Sequence, residues 1–297
     1  MSLTLKRIII VLLGLVGASI AWPCLLAIQY AQASFPGYLS FSIAQGIVLG
    51  AIFGAIFGSI EGIVVSSRPK ALKGLGFGSL AGALSGAVGV IGGQAFLFHA
   101  ADALATTQRT ISGVALALVN GAGWVIIGVC VAMIEGFRSR SLRKILVGLA
   151  GGIVGGLIGG VTLQLILSGN PGSGLALLAG LACFGLALGF FYSLFENRFS
   201  LGTVKLLNGP LKNKEYHLVK PRMTIGTKNT CDIVLSGYRD VAEVNAQIVS
   251  KKGRVTIGVA PGAKPIKLNE EKTEEAALRR EDVFSVGSAK FMYGIFS

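Results

Sequence analysis

Apolar positions along this chain fall into two regimes. From Ile8 to about Phe195 they form long runs separated by short polar or turn-rich pieces; beyond Arg198 they shorten to a few residues that alternate with polar ones. A run of about 20 residues crosses a hydrocarbon core of ~30 Å at 1.5 Å per residue. Six transmembrane helices are therefore predicted, over about 8–28, 41–65, 74–98, 111–134, 145–167 and 175–195. The first run contains Trp22-Pro23 and is followed by more spans, so it reads as a helix of the bundle rather than as a signal peptide. The connections are the turn-rich 29–40, basic 66–73, polar 99–109, basic 137–144 and the turn 168–174, with His99 and Asp102 read as solvated.

Glycine recurs every fourth residue within several runs: Gly46, Gly50, Gly54, Gly58 and Gly62, then Gly74, Gly78, Gly82 and Gly86, then Gly148, Gly152, Gly156 and Gly160. In a water-exposed helix each costs roughly 1 kcal/mol relative to alanine. Within a bilayer the backbone has no water to bond and must stay helical, and a ladder of small residues admits a neighbouring helix at close range. The expected membrane part, residues 1–198, is a glycine-seamed bundle in which a glycine zipper also offers a route to homo-oligomers.

The segment IEG occurs at Ile60–Gly62 and again at Ile134–Gly136, each followed by a Ser-Arg loop and a glycine-laddered run that ends near Gln94 or Gln164. Looser matches extend this internal repeat to three hairpins. Odd spans end near Gln29, Gln94 and Gln164; even spans end at Glu61, Glu135 and Glu196. Two readings follow. Three carboxylates and three amides ring an ion or solute path, or each carboxylate sits at a helix end and pairs with the loop cation beside it: Glu61 with Arg68, Glu135 with Arg138, Glu196 with Arg198. Interfacial depth favours the pairs, because charge is most costly and most often functional at the midplane. A carboxylate at the negative end of its own helix dipole also needs a cation nearby. Asn120 is the clearest mid-membrane polar residue.

Charge then sets orientation. The chain has 27 Lys and Arg against 14 Asp and Glu, of which 11 and 4 fall up to Arg198. Lys6, Arg7, Arg68, Lys70, Lys73, Arg138, Arg140, Arg143, Lys144 and Arg198 lie on one side of a six-span arrangement and only Arg109 on the other, which puts both termini in the cytoplasm. Orientation and anionic lipid account for this basic excess, so nucleic acid is not expected as a partner. The four cysteines have no paired spacing, which argues against a disulfide framework or a zinc site. No phosphate-binding P-loop, His-Glu-x-x-His helix or nucleophile elbow is present, and neither an enzyme, a cofactor nor a metal is expected.

Residues 199–297 carry short alternating runs at 204–207, 223–225, 232–235, 246–249, 255–259 and 290–295, separated by turn pieces such as NGP, KKGR and APGAKP. Their spacing predicts a separate all-β sandwich. Within it, MTIGTKNTCDIVLSG, VAEVNAQIV and LRREDVFSVGSAKFMY follow one another in the order of three blocks of the forkhead-associated (FHA) family. The tail resembles an FHA domain from about Thr203 to Phe296. The resemblance implies an eleven-stranded sandwich whose apical loops bind phosphothreonine peptides. A dianionic phosphate needs an arginine fork with hydroxyl or amide donors on rigid loops. At the corresponding positions this chain has Thr227 for the family's arginine, Ala242 for its serine and Asn245 for its histidine, with Lys264-Pro265-Ile266 in place of Asn-Gly-Thr; Asn269 is kept. Lys228, Asn229 and Arg239 lie in the same loops as substitute donors. Lysine cannot reproduce the bidentate contact, so a phosphate-independent contact with a cytosolic protein is read ahead of phosphopeptide binding. The expected whole is a bacterial inner-membrane protein presenting an FHA-like interaction module for signalling or scaffold docking. The alternative is a small channel or transporter regulated through that module.

Overall fold

The computed structural model describes residues 3–65, 67–105, 113–139, 141–170, 172–198, 200–251 and 254–294. It separates into two compact units, one of residues 7–60 and 71–196, the other of residues 1–6, 61–70 and 197–297.

Among the described residues, six α-helices precede the sandwich: α1 Leu3–Tyr30, α2 Tyr38–Val65, α3 Arg68–Ala105, α4 Gly113–Arg138, α5 Leu142–Gly169 and α6 Gly174–Arg198. Among the described residues, five helical stretches are long and apolar enough to cross a membrane: Leu5–Tyr30, Tyr38–Val64, Arg68–Phe96, Leu142–Gly169 and Gly174–Glu196. Of the expected fourth span, Ile111 and Ser112 lie outside the described residues, as do Arg109 and Arg140 and the side chains of Asn120 and Arg198. The helices outrun the sequence pattern at their ends. The basic connection expected over 66–73 shrinks because α3 starts at Arg68, with Pro69 in the first turn, where its missing N–H is not needed. At its other end α3 continues through His99 and Asp102 to Ala105, since nothing in that stretch breaks a helix and alanine favours one.

Glycine governs packing within the 7–60 and 71–196 unit. A Cβ added at Gly50 would lie 2.1 Å from the Gly82 carbonyl oxygen, and one at Gly78 would lie 2.1 Å from that of Gly54. The same opposition joins Gly46 to Gly86 and Gly58 to Gly74, so α2 and α3 run backbone to backbone along four consecutive rungs. Gly93 meets Gly123 between α3 and α4, Gly152 and Gly156 receive α4, and Gly14 meets Gly185 between α1 and α6. The bundle thus closes from α6 back to α1, where the Trp22 indole N–H also donates to the Gly174 carbonyl at 2.7 Å. Aromatic side chains fill the middle: Phe53 and Phe184 meet edge to face at 5.6 Å, and Trp124 lies 5.1 Å from Phe184.

Among its described residues the C-terminal domain is a sandwich of eleven strands: β1 Thr203–Leu206, β2 Glu215–His217, β3 Arg222–Gly226, β4 Ile233–Val234, β5 Ala246–Lys251, β6 Arg254–Val259, β7 Ile266–Leu268, β8 Glu271–Thr273, β9 Glu275–Ala277, β10 Val283–Val286 and β11 Ala289–Gly294. One sheet has the order β2-β1-β11-β10-β7-β8, the other β4-β3-β5-β6-β9. Their inner faces supply one core, with Leu206, Ile225, Ile257, Phe284 and Phe291 fully buried and the two phenylalanine rings stacked at 5.0 Å. The strands that carry this alternation match the predicted runs closely. β2, β7, β8 and β9 hold three residues each, too few for a period of two to show. Burial pushes the Tyr216 hydroxyl upward in pKa and the Lys214 ammonium downward.

Candidate functional site

Strand pairing gathers the candidate loops at one end of the sandwich. Parallel pairing of β3 with β4 turns 227–232 into an apical connection, and 235–245 returns beside it to β5. Gly226 permits the approach, for a Cβ there would lie 2.1 Å from the Glu243 carbonyl oxygen. The Thr227 and Lys228 backbone N–H groups then donate to the carbonyls of Ala242 and Glu243 at 3.0 and 3.1 Å. The Thr227 hydroxyl donates to that same Ala242 carbonyl at 3.4 Å. The Cys231 thiol donates to the Glu243 carbonyl at 3.3 Å, and its burial raises its pKa.

Asn245 is the brace of this end. It is 1% exposed; its side-chain oxygen accepts the Ala242 N–H at 3.0 Å, and its amide donates to the Lys264 carbonyl at 3.3 Å. One buried side chain therefore ties the β4–β5 loop to the β6–β7 loop, and its own backbone bonds Ile225 and Ala260. Replacing it with alanine leaves an N–H and a carbonyl without that partner, each worth about 1–3 kcal/mol when desolvated. Asn245→Ala is expected to lower the stability of the domain by roughly 2–4 kcal/mol on that basis, read as an earlier urea midpoint at unchanged slope.

Two apical lysines are paired with carboxylates. Lys228 meets Glu243 at 3.3 Å and Lys264 meets Asp240 at 2.7 Å, with all four side chains more than half exposed. Lys264 holds the Asp240 carboxyl below its ordinary pKa by hydrogen bond and charge. Arg239 is exposed, and its backbone is fixed to the β10–β11 turn, where its N–H donates to the Ser288 hydroxyl at 2.9 Å and its carbonyl accepts the Ser288 N–H at 3.0 Å. Asn229 is exposed on the β3–β4 loop. Thr227, Lys228, Asn229, Arg239 and Asn245 thus belong to one end of the domain.

Asn269 lies at the other end of β7. With Glu270 it forms a two-residue hairpin between β7 and β8, both residues having positive φ of 48° and 73°, the geometry of a type I′ turn in which asparagine is favoured. Its side chain accepts the Val283 N–H and donates to Asp282, both at 3.0 Å. Its work here is to make a turn and hold the start of β10. Sequence reasoning did not pick out Asp240 and Glu243 as the counter-charges of the apex, because strand pairing alone brings the three loops together.

Of the three helix-end carboxylates Glu61, Glu135 and Glu196, Glu135 is 2% exposed and accepts from Arg138 at 2.9 Å and Lys144 at 3.0 Å. Ser141 caps α5 beside it, accepting the Lys144 N–H. Glu196 is buried; the side chain of Arg198 lies outside the described residues. Within the unit that holds residues 61–70 and 197–297, Glu61 accepts from Lys220 at 2.5 Å, and Lys220 also contacts Asp232 at 2.7 Å. Asp232 in turn accepts the Thr224 N–H and hydroxyl. Arg68 is exposed at the start of α3. Among the described residues no group of three or more His, Cys, Asp or Glu is arranged to hold a metal.

Residues 205–294 match the family model described as "Inner membrane component of T3SS, cytoplasmic domain" (Yop-YscD_cpl). Similar solved structures include the FHA domain of CT664 from Chlamydia trachomatis, 22% identical over 32% of this chain and 98% of that one, with a TM-score of 0.30. The FhaA FHA domain complexed with the intracellular domain of Rv3910 is 17% identical over 31% and 98%, with a TM-score of 0.29. The N-terminal FHA domain of S. cerevisiae Rad53p in complex with a phosphothreonine peptide is 18% identical over 32% and 93%, also at 0.29. No curated protein matches the chain. The C-terminal domain is FHA-like. The chain joins it to helices long and apolar enough to cross a membrane.

Proposed function

We propose that this is a six-span inner-membrane protein, with both termini in the cytosol, whose FHA-like domain docks a cytosolic protein for scaffold assembly or signalling through a contact that does not require phosphothreonine. The observation that carries the reading is the charge arrangement of the apex: Lys228 and Lys264 each lie against a carboxylate, Glu243 and Asp240. Exposed pairs of this kind are worth only about 0–1 kcal/mol and open easily. Opening them, however, leaves two negative charges in the loops that would face a dianion, and like charges disfavour its approach. Thr227 and Ala242, where the resemblance has arginine and serine, supply neither a fork nor a phosphate-binding hydroxyl.

The description of the matching family, the cytoplasmic domain of an inner-membrane component, supports the placement of the tail, and the one-sided distribution of basic loop residues supports the orientation. Three glycine-seamed hairpins, read as an internal repeat, suit a rigid anchor embedded in the lipid bilayer. Calorimetric titration of the full chain in lipid nanodiscs with a phosphothreonine peptide library and its unphosphorylated counterparts tests the reading. Affinities within threefold of one another, or no measurable binding of either set, are expected. A preference of tenfold or more for the phosphorylated set, about 1.4 kcal/mol, overturns it.

A further inference from the structure

The outer face of the sheet β4-β3-β5-β6-β9 carries a row of cations at the end opposite the apex. Alternation sends Met223, Ile225, Ile248, Val255 and Ile257 into the core and turns the residues between them outward. Arg222 opens β3, Lys251 closes β5 and Arg254 opens β6, and all three are exposed. Pairing sets Arg222 opposite Val249 and Lys251 opposite Arg254, so Arg222 lies one diagonal step, about 7–8 Å, from Lys251. Strands β3, β5 and β6 contain no Asp or Glu. Arg222 donates to the Gln247 side chain at 2.8 Å, and among the described residues no carboxylate is paired with Arg222, Lys251 or Arg254. Asp232, beside β3, is already engaged by Lys220 and Thr224.

The β2–β3 loop decides what this row faces. Within the unit of residues 1–6, 61–70 and 197–297, Lys220 reaches Glu61 at 2.5 Å, and Glu61 belongs to the last turn of the apolar stretch Tyr38–Val64. The Lys70 ammonium donates to the Cys231 carbonyl, a second tie, from the first turns of α3. From Lys220 to Arg222 the chain spans at most ~7 Å, about the thickness of the headgroup layer that flanks a ~30 Å hydrocarbon core. A span that ends at Val64 thus brings Arg222 to headgroup depth. A guanidinium offers a phosphodiester two parallel N–H donors. Basic side chains beside an anionic leaflet are drawn to it within a Debye length.

We propose that this face binds the phosphodiester headgroups of anionic lipids through Arg222, Lys251 and Arg254, leaving the apex at the other end of the sheet free for its protein partner. The inference rests on the membrane placement proposed above. The full chain, with a fluorescent amino acid at Val249, is reconstituted in nanodiscs that carry a trace of lipid spin-labelled at its head. The discs are phosphatidylcholine alone or phosphatidylcholine with one-third phosphatidylglycerol. Quenching at least threefold stronger with phosphatidylglycerol is expected, reversed when salt rises from about 0.1 to 1 M and the screening length falls from about 10 to 3 Å. Arg222→Gln/Lys251→Gln/Arg254→Gln is expected to lose the dependence on phosphatidylglycerol, and a probe at Lys272 on β8 never to show it. Should the triple variant fail to fold, Lys251→Glu at the exposed end of β5 is expected to halve the dependence or reduce it further. A probe at Arg68, at the start of α3, is expected to be quenched in both discs. Quenching at Arg68 without phosphatidylglycerol dependence at Val249 overturns the lipid contact alone, whether the face then takes up an acidic peptide, RNA or nothing. No quenching at Arg68 overturns the membrane placement and the proposal with it. Equal dependence at Lys272, or dependence unchanged in whichever variant folds, overturns the proposal as well.

Discussion

Gly78→Ala is expected to unfold the bundle at a temperature several degrees lower, while Gly76→Ala, two residues away on the same helix, leaves it unchanged or slightly more stable. The added methyl at Gly78 would stand 2.1 Å from the Gly54 carbonyl oxygen and 2.9 Å from its carbon. Both are backbone atoms of a helix held along its length by further rungs, so no flexible side chain is available to yield. Forcing one methyl into packed structure typically costs 1–3 kcal/mol and occasionally more. In a unit of this size that is a shift of about 2–4 °C per kcal/mol. Gly76 has nothing within 4 Å of its Cβ position and gains only helix propensity. The double variant Gly78→Ala/Gly82→Ala moves two rungs at once and is expected to prevent the α2–α3 contact from forming. Thermal melting of the full chain in nanodiscs, followed by tryptophan fluorescence, gives the order. Equal shifts for Gly76 and Gly78 would mean that the seam does not hold the helices together.

Installing the phosphate contacts that the apex lacks is expected to change its specificity outright. Thr227→Arg/Ala242→Ser supplies a fork and a hydroxyl on loops that Asn245 already braces. Charge-assisted hydrogen bonds contribute about 1.5–3 kcal/mol each, so one that forms well gives a phosphopeptide preference of tenfold or more. Adding Glu243→Gln, which removes one of the opposing carboxylates, is expected to raise the preference further. Both variants leave β3 and β5 intact, and their competence is checked by an unchanged urea midpoint. Preference in the variants without preference in the parent chain locates the deficit in those three side chains. If the parent already discriminates tenfold, a different set of donors holds the phosphate.

Much of this architecture is legible in the residues, and the limits of that legibility are physical. Long apolar runs announce helices because nothing else buries so many consecutive apolar side chains. The four-residue glycine period of Gly46–Gly58 and Gly74–Gly86 foretells close packing, but a ladder names no partner; the Gly50–Gly82 rung becomes visible only in three dimensions. Helix ends were harder to read, since Arg68-Pro69 reads as loop by composition while satisfying the rules of a first turn. In the tail, β5 and β6 could be read from their alternation, whereas the three-residue β8 and β9 carry no period. The apical site was legible in its members and not in its balance. Thr227, Lys228, Arg239 and Asn245 were identifiable by resemblance, yet Glu243 and Asp240 acquire meaning only when three loops meet. Asn269, retained from the family pattern, lies at the other end of β7 and serves a hairpin.

The claim that the apex docks a cytosolic protein without phosphate is tested most directly by photo-crosslinking from Asn229. Membranes bearing the full chain with a benzophenone amino acid at Asn229, and separately at Lys272 on β8, are mixed with cytosol that has or has not been treated with phosphatase, then irradiated. The account predicts one discrete adduct from Asn229, of equal yield in both cytosols, and none from Lys272. An adduct that vanishes after phosphatase treatment, or equal adducts from the two positions, would contradict it.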